Sequence, residues 1–339
     1  MSPSTIEEIA MLLHLFALLV AASTAVLIFA GGMVTSTGSG LAVPDWPNTY
    51  GWFMWTFPIQ HWVGGIFYEH THRLIASTVG FLILVLAVWL WRAEPRRWVR
   101  MLGFIALAAV ITKGILGGLT VLFYLPDPIS IAHASLAQIV FCLTITIAVA
   151  TSPGWKRGYP GNLAADDRVL QKTALATTGL VYLQILIGAT MRHTDAGLAI
   201  PDFPFVFGQL VPPHWDAKIA VHYAHRVGAL VVSLMVLATA GHVLYHHRSR
   251  RPLVRGALLL LGLVCVQITL GALTVLSLKQ PIINSFHVVT GASVLATSLV
   301  LTLRSHRVRF SRETDTVASA VFRPIGPGAL STRRSGARA

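Results

Sequence analysis

Long apolar runs separated by short polar connections dominate the chain. They cover 10–34, 64–91, 101–124, 130–151, 169–191, 218–245, 255–278 and 282–303. A helix rises about 1.5 Å per residue, so each run is long enough to cross a hydrocarbon core of ~30 Å. Helices are the expected form, because lipid offers no partner to a free backbone N–H or C=O. The alternating segments of about ten residues that a membrane β-barrel needs are not visible. The pattern predicts an all-α membrane protein with eight transmembrane helices.

Composition sharpens this. Of 339 residues, 54% are apolar and 12% charged, where a soluble domain carries about 25% charged residues. The formal net charge is +13, which in a soluble protein would suggest nucleic acid. Position gives it another meaning, and no nucleic-acid partner is expected. Most of the 26 basic residues lie in 92–100, 152–172, 246–255 and from Arg304 onward. The alternate loops 35–63, 125–129 and 194–217 hold no Lys or Arg, and 279–281 holds Lys279 alone. The positive-inside rule places both termini in the cytoplasm. Segment 304–339, rich in Arg, Ser, Gly and Pro, reads as a disordered cytoplasmic tail that touches anionic lipid. Glu7 and Glu8 stand where a secretory signal would be basic, and the first run is too long for one. Nor is the start an Arg-rich transit peptide, which favours a bacterial plasma membrane. Cys142 and Cys265 both fall inside apolar runs and offer neither a disulfide framework nor a CxxC pair.

The halves repeat. GGMVTSTGSGLAVPDWP (31–47) aligns with GATMRHTDAGLAIPDFP (188–204), THR (71–73) with AHR (224–226), and LGGLTVL (116–122) with LGALTVL (270–276). The offset is nearly constant. Four spans per half leave the halves in the same orientation, related by an axis along the membrane normal. The expected organisation is two tandem four-helix bundles: an N-terminal half at 1–151, a cytoplasmic linker at 152–168, a C-terminal half at 169–303 and the tail.

The repeat singles out His72, His133, His225 and His287, on the second, fourth, sixth and eighth spans. Counted from the basic inner ends, all four lie roughly 25–35 Å up their helices, one layer near the outer edge. Ionisable groups in spans are costly and face the bundle interior. Neutral imidazole is also a good axial ligand for haem iron. His72 with His133, and His225 with His287, would each bracket one iron, giving one haem-sized site per bundle. Zinc fits less well, since the histidines lack i, i+4 spacing and a thiolate partner.

The halves differ at one telling position. Glu69 precedes His72 by three residues on the same helix face, whereas His222 stands there before His225. An acid beside only one site suits chemistry that moves protons; a helix salt bridge to Arg73 is compatible with that role. Arg73 and Arg226 follow the ligands and are candidates for haem propionates or for snorkelling. The GLAVPDWP and GLAIPDFP segments read as rigid caps, with Asp45 and Asp202 as turn residues. Gly114, Gly117, Gly118 and Gly271 suggest close helix approach.

Taken together, these motifs, with EHTHR and the FHVVTG stretch around His287, resemble the haem A synthase family over about 10–305. The resemblance implies oxidation of the C8 methyl of haem O to a formyl group by successive hydroxylation and loss of water, giving haem A for terminal oxidases. It implies a haem b held by His225 and His287 in the C-terminal half. Haem O is then expected at His72 and His133, with Glu69 essential for turnover. Haem O synthase and terminal-oxidase assembly factors are implied as partners, with an unidentified electron donor. The chain departs from the family pattern in lacking an outer-loop cysteine pair. It also has Thr35 and Ser36 where an Arg is common, and Lys113 where Gln is common, as at Gln267. The competing expectations are a two-haem b-type quinol oxidoreductase or electron conduit, and a haem carrier without redox chemistry.

Overall fold

The computed structural model describes residues 3–156 and 167–321. Its helices, in order, are α1 (Pro3–Ser36), α2 (Gly65–Ala93), α3 (Arg97–Leu122), α4 (Asp127–Thr151), the short α5 (Pro153–Lys156), α6 (Arg168–His193), α7 (Ala217–His246), α8 (Arg251–Leu276) and α9 (Pro281–Val321). Eight of them are long and apolar enough to cross a membrane, and no strand is present among the described residues. α9 continues as helix to Val321, so 304–321 is helical where the sequence suggests unstructured chain. The apolar span itself ends at Arg307. The rest of the tail, and 157–166 of the linker, lie outside the described residues.

The helix boundaries follow local chemistry. Pro128 and Pro252 sit in the first turns of α4 and α8, where a missing N–H costs nothing. Asp167 and Asp216 cap α6 and α7 by accepting the Leu170 and Ile219 N–H groups. Neighbours in sequence pack as neighbours in space: α1 with α2, α2 with α3, α3 with α4, and again α6 with α7, α7 with α8, α8 with α9. α1 closes the first set against α4, and α6 closes the second against α9. The sets meet through α1–α9, α4–α6 and α4–α9.

Buried side chains divide accordingly. Leu13, Val20, Ile83, Leu86, Leu90 and Ile147 belong to one core, and Val236, Val243, Leu260, Leu295 and Leu301 to another. Ile28, Phe141, Ala292 and Ala296 form a smaller cluster where α1, α4 and α9 meet. Large apolar side chains such as Leu15, Leu19, Phe81, Leu230 and Leu234 are exposed on the helices. In water they would be a liability; in a bilayer they face solvent of their own kind.

Candidate functional site

Each of the four repeat histidines rests on a glycine of a neighbouring helix. An added Cβ on Gly31 would stand 3.1 Å from His72 Cε1, and one on Gly117 3.0 Å from His133 Cε1. For Gly188 and His225 the distance is 2.9 Å, and for Gly271 and His287 3.1 Å. Small residues let membrane helices approach closely; here what approaches is an imidazole.

His225 and His287 face one another, with ring centres 6.4 Å apart and planes at 70°. Two imidazoles holding one metal from opposite sides, at metal–nitrogen bonds of about 2.0–2.1 Å, have ring centres roughly 6 Å apart. The separation of the two rings matches that spacing. The Gln184 side-chain nitrogen lies 3.0 Å from His225 Nδ1 and donates to the His225 carbonyl at 2.7 Å. Gln267 Nε2 lies 3.4 Å from His287 Nε2. The buried Nδ1 of His287 and Oε1 of Gln184 and Gln267 have no hydrogen-bond partner, which marks a polar environment built for something more than packing.

In the first half His72 Nδ1 is likewise buried and unpartnered. His133 Nδ1 lies 3.1 Å from the Lys113 carbonyl, and its Nε2 accepts from Lys113 Nζ at 3.2 Å. Lys113 thus occupies the place that Gln267 holds beside His287, twenty positions before the histidine in both cases. That contact supplies the partner of the buried span lysine.

Over the helices lie two stapled loops. The Val43 N–H donates to Glu69 Oε2 at 2.8 Å, and Arg73 donates to Glu69 Oε1 at 2.6 Å. Arg73 also donates to the carbonyls of Val43, Asp45 and Asn48. In the second loop the Ile200 N–H donates to His222 Nδ1 at 3.3 Å, and Arg226 donates to the carbonyls of Ile200, Asp202 and Phe205. Glu69 and His222 therefore accept the same N–H of the repeated loop. The two arginines, candidates for propionates or for snorkelling, place these donors on loop carbonyls, because an irregular loop leaves its C=O groups without secondary-structure partners.

Asp45 and Asp202 are turn residues, as expected. Each accepts two backbone N–H groups at 2.8 Å, from Tyr50 and Gly51 and from Phe207 and Gly208. Burial works to raise the Asp45 pKa, but the Gly51 and Tyr50 N–H groups and the Arg73 charge outweigh it and hold it below the usual value. The Gly208 N–H leads the same lowering at Asp202. Tyr50, Gly51, Phe207 and Gly208 all have positive φ. His70 is fully buried with Nδ1 3.1 Å from Thr49 Oγ1 and packs on Phe57 and Trp62. It is a loop anchor.

Two further contacts had no signal in the sequence. Arg192 at the end of α6 donates to the Gly32 carbonyl at 2.7 Å and to Ser36 Oγ at 2.8 Å. Ser36, in the first half, is thus an acceptor for the arginine of the second. At the opposite end of the molecule, His242 and His247 both meet Asp167. These partners are far apart in the chain and follow no repeat.

Fold and site define a multi-pass helical membrane protein with matched imidazoles two turns into four of its helices, capped by stapled loops. The sequence profile of the COX15-CtaA family, described as cytochrome oxidase assembly protein, matches residues 14–300; the chain belongs to that family. It is similar to the heme A synthase of Geobacillus kaustophilus, 28% identical over 286 residues, covering 83% of this chain and 88% of the relative. The heme A synthase of Shouchella clausii is 29% identical over 283 residues, covering 82% and 90%. That of Halalkalibacterium halodurans is 27% identical over 290 residues, covering 85% and 94%.

Proposed function

We propose that this protein is a membrane oxidoreductase of haem A biosynthesis that converts haem O to haem A. Family membership and the named relatives support the reaction. The 6.4 Å separation of the His225 and His287 rings carries the site assignment. The substrate change is oxidation of the haem O C8 methyl to a formyl group by successive hydroxylation and loss of water.

The reading divides the chain into two four-helix bundles, 1–151 and 169–303, related by a pseudo-two-fold axis along the membrane normal. The recurring glycine–imidazole contacts and loop staples support that symmetry. His225 and His287 hold a resident haem b, with Gln184 orienting His225 through Nδ1. When bound, that haem supplies one-electron transfer. His72 and His133 hold and orient haem O; for His133 this requires Lys113 Nζ to leave Nε2, because Nδ1 already faces the Lys113 carbonyl. Glu69 is a positioning residue. With both oxygens on the loop and Arg73, it fixes the cap above the substrate site. Arg73 and Arg226 act on the sites through the loops they staple.

The protein sits in the bacterial plasma membrane with both termini cytoplasmic, as the basic connections favour. Haem O synthase supplies its substrate, terminal-oxidase assembly consumes its product, and a separate donor supplies electrons. The test is expression with a haem O source in a host that lacks haem A, followed by chromatography and mass analysis of extracted haems. Haem A is expected. Unaltered haem O alone would overturn the reading, and two haem b per protein without product would favour an electron conduit.

A further inference from the structure

The cluster opposite the stapled loops belongs to none of this chemistry. Asp167 begins α6, His242 lies in the last turns of α7, and His247 follows α7 directly. The Nε2 atoms of both histidines lie 2.7 Å from the same oxygen, Asp167 Oδ2. The other oxygen, Oδ1, accepts the Leu170 N–H at 2.9 Å and so caps α6. The carboxylate is thereby held still, with one oxygen turned to two converging imidazoles. The three ligand-type atoms all lie within 4.8 Å of one another, and none of the residues is fully exposed.

The geometry points to a binding site for one divalent transition-metal ion, formed by Asp167 Oδ2 and the Nε2 atoms of His242 and His247. Two imidazoles and a carboxylate are a donor set for zinc, copper, nickel or ferrous iron, and a poor one for magnesium or calcium. In a tetrahedral site with bonds of about 2.0–2.2 Å, neighbouring donor atoms stand roughly 3.3 Å apart. The present contacts open to that by small side-chain rotations. To bind the ion each imidazole must offer an unprotonated Nε2, with its remaining proton on Nδ1. His246, whose ring centre is 4.5 Å from that of His242, or a water supplies a fourth ligand. The ion would clasp the start of α6 to the end of α7 at the membrane face bearing Arg168, Arg248 and Arg250.

The test uses the full-length protein in detergent, purified with a histidine-free tag and titrated with Zn2+ by calorimetry and with Co2+ by visible absorption. One saturable equivalent is expected, weakened at least tenfold in both Asp167→Asn and His247→Gln. Asn is as good an N-cap as Asp, so the first variant keeps α6 intact. Zn2+ is expected to raise the melting temperature of the parent and not of the variants. Metal held by the haem-site histidines would survive both substitutions. Unchanged binding in the variants, or no saturable equivalent in the parent, overturns the site and leaves the proposed haem chemistry untouched.

Discussion

At the scale of single residues, the pairing of imidazole with glycine decides the site. Gly188→Ala would bring a methyl carbon to 2.9 Å from His225 Cε1. Overpacking of this kind costs about 1–3 kcal/mol, and relief comes from displacing the ring. Bound haem b per protein, measured as pyridine haemochrome, is expected to fall at least twofold with helical circular dichroism unchanged; full occupancy would show that the ring has room. Glu69→Gln keeps an acceptor for the Val43 N–H but loses the charge facing Arg73. Its haem A yield is expected to fall severalfold, haem b to stay, and hydrogen exchange at Val43 to quicken. A fallen yield with Val43 still protected would mean that the carboxylate acts directly rather than through the loop. The histidines were legible in the sequence because duplication printed them twice. Their glycine walls were legible only as small residues, since the sequence does not say what approaches them. Asp167, His242 and His247 were illegible as a group, because their convergence depends on how α6 and α7 pack.

At the scale of elements, the loops and the helices beneath them co-vary between halves. The Trp46 ring lies over α3 so closely that a Cβ on Gly118 would stand 2.5 Å from its Cδ2. The aligned residues of the second half are Phe203 and Ala272. A larger ring goes with no side chain, a smaller ring with a methyl. Gly118→Ala alone is therefore expected to unseat the first loop and lower haem A yield. Adding Trp46→Phe is expected to restore much of it, a coupling that a double-mutant cycle on thermal stability reads directly. If the double variant is as damaged as the single one, the two positions do not share space. The sequence showed the loops as rigid caps with aspartate turns. It could not show where the arginines point, because a guanidinium next to a ligand histidine suits a propionate and a loop carbonyl equally.

At the scale of the molecule, polar ties at both ends hold a largely apolar assembly together. Glu94, buried between α2 and α3, pairs with Arg96 at 2.6 Å, and Arg96 donates on to the Ala150 carbonyl at the end of α4. Burial works to raise the Glu94 pKa, but the hydrogen bonds and charge of Arg96, helped by Lys156, hold it below its ordinary value of 4.5. A carboxylate with a lowered folded pKa contributes stability above its unfolded pKa and loses it as pH falls through the folded one. The melting temperature is thus expected to drop as pH is lowered below about 4.5, and less steeply in Glu94→Gln. Equal slopes would place the acid sensitivity elsewhere. The eight spans were legible from hydropathy alone, whereas the link from Arg192 to Ser36 needed the packed halves.

The glycine seats carry one last consequence. With no side chain between ring and backbone, the gap between opposed imidazoles is set by how far apart and how steeply the helices stand. Helix tilt answers to bilayer thickness. A thicker or thinner lipid is therefore expected to tune iron ligation itself, so that reconstitution in short- and long-chain phospholipids becomes a dial on the haem spectrum without a single substitution.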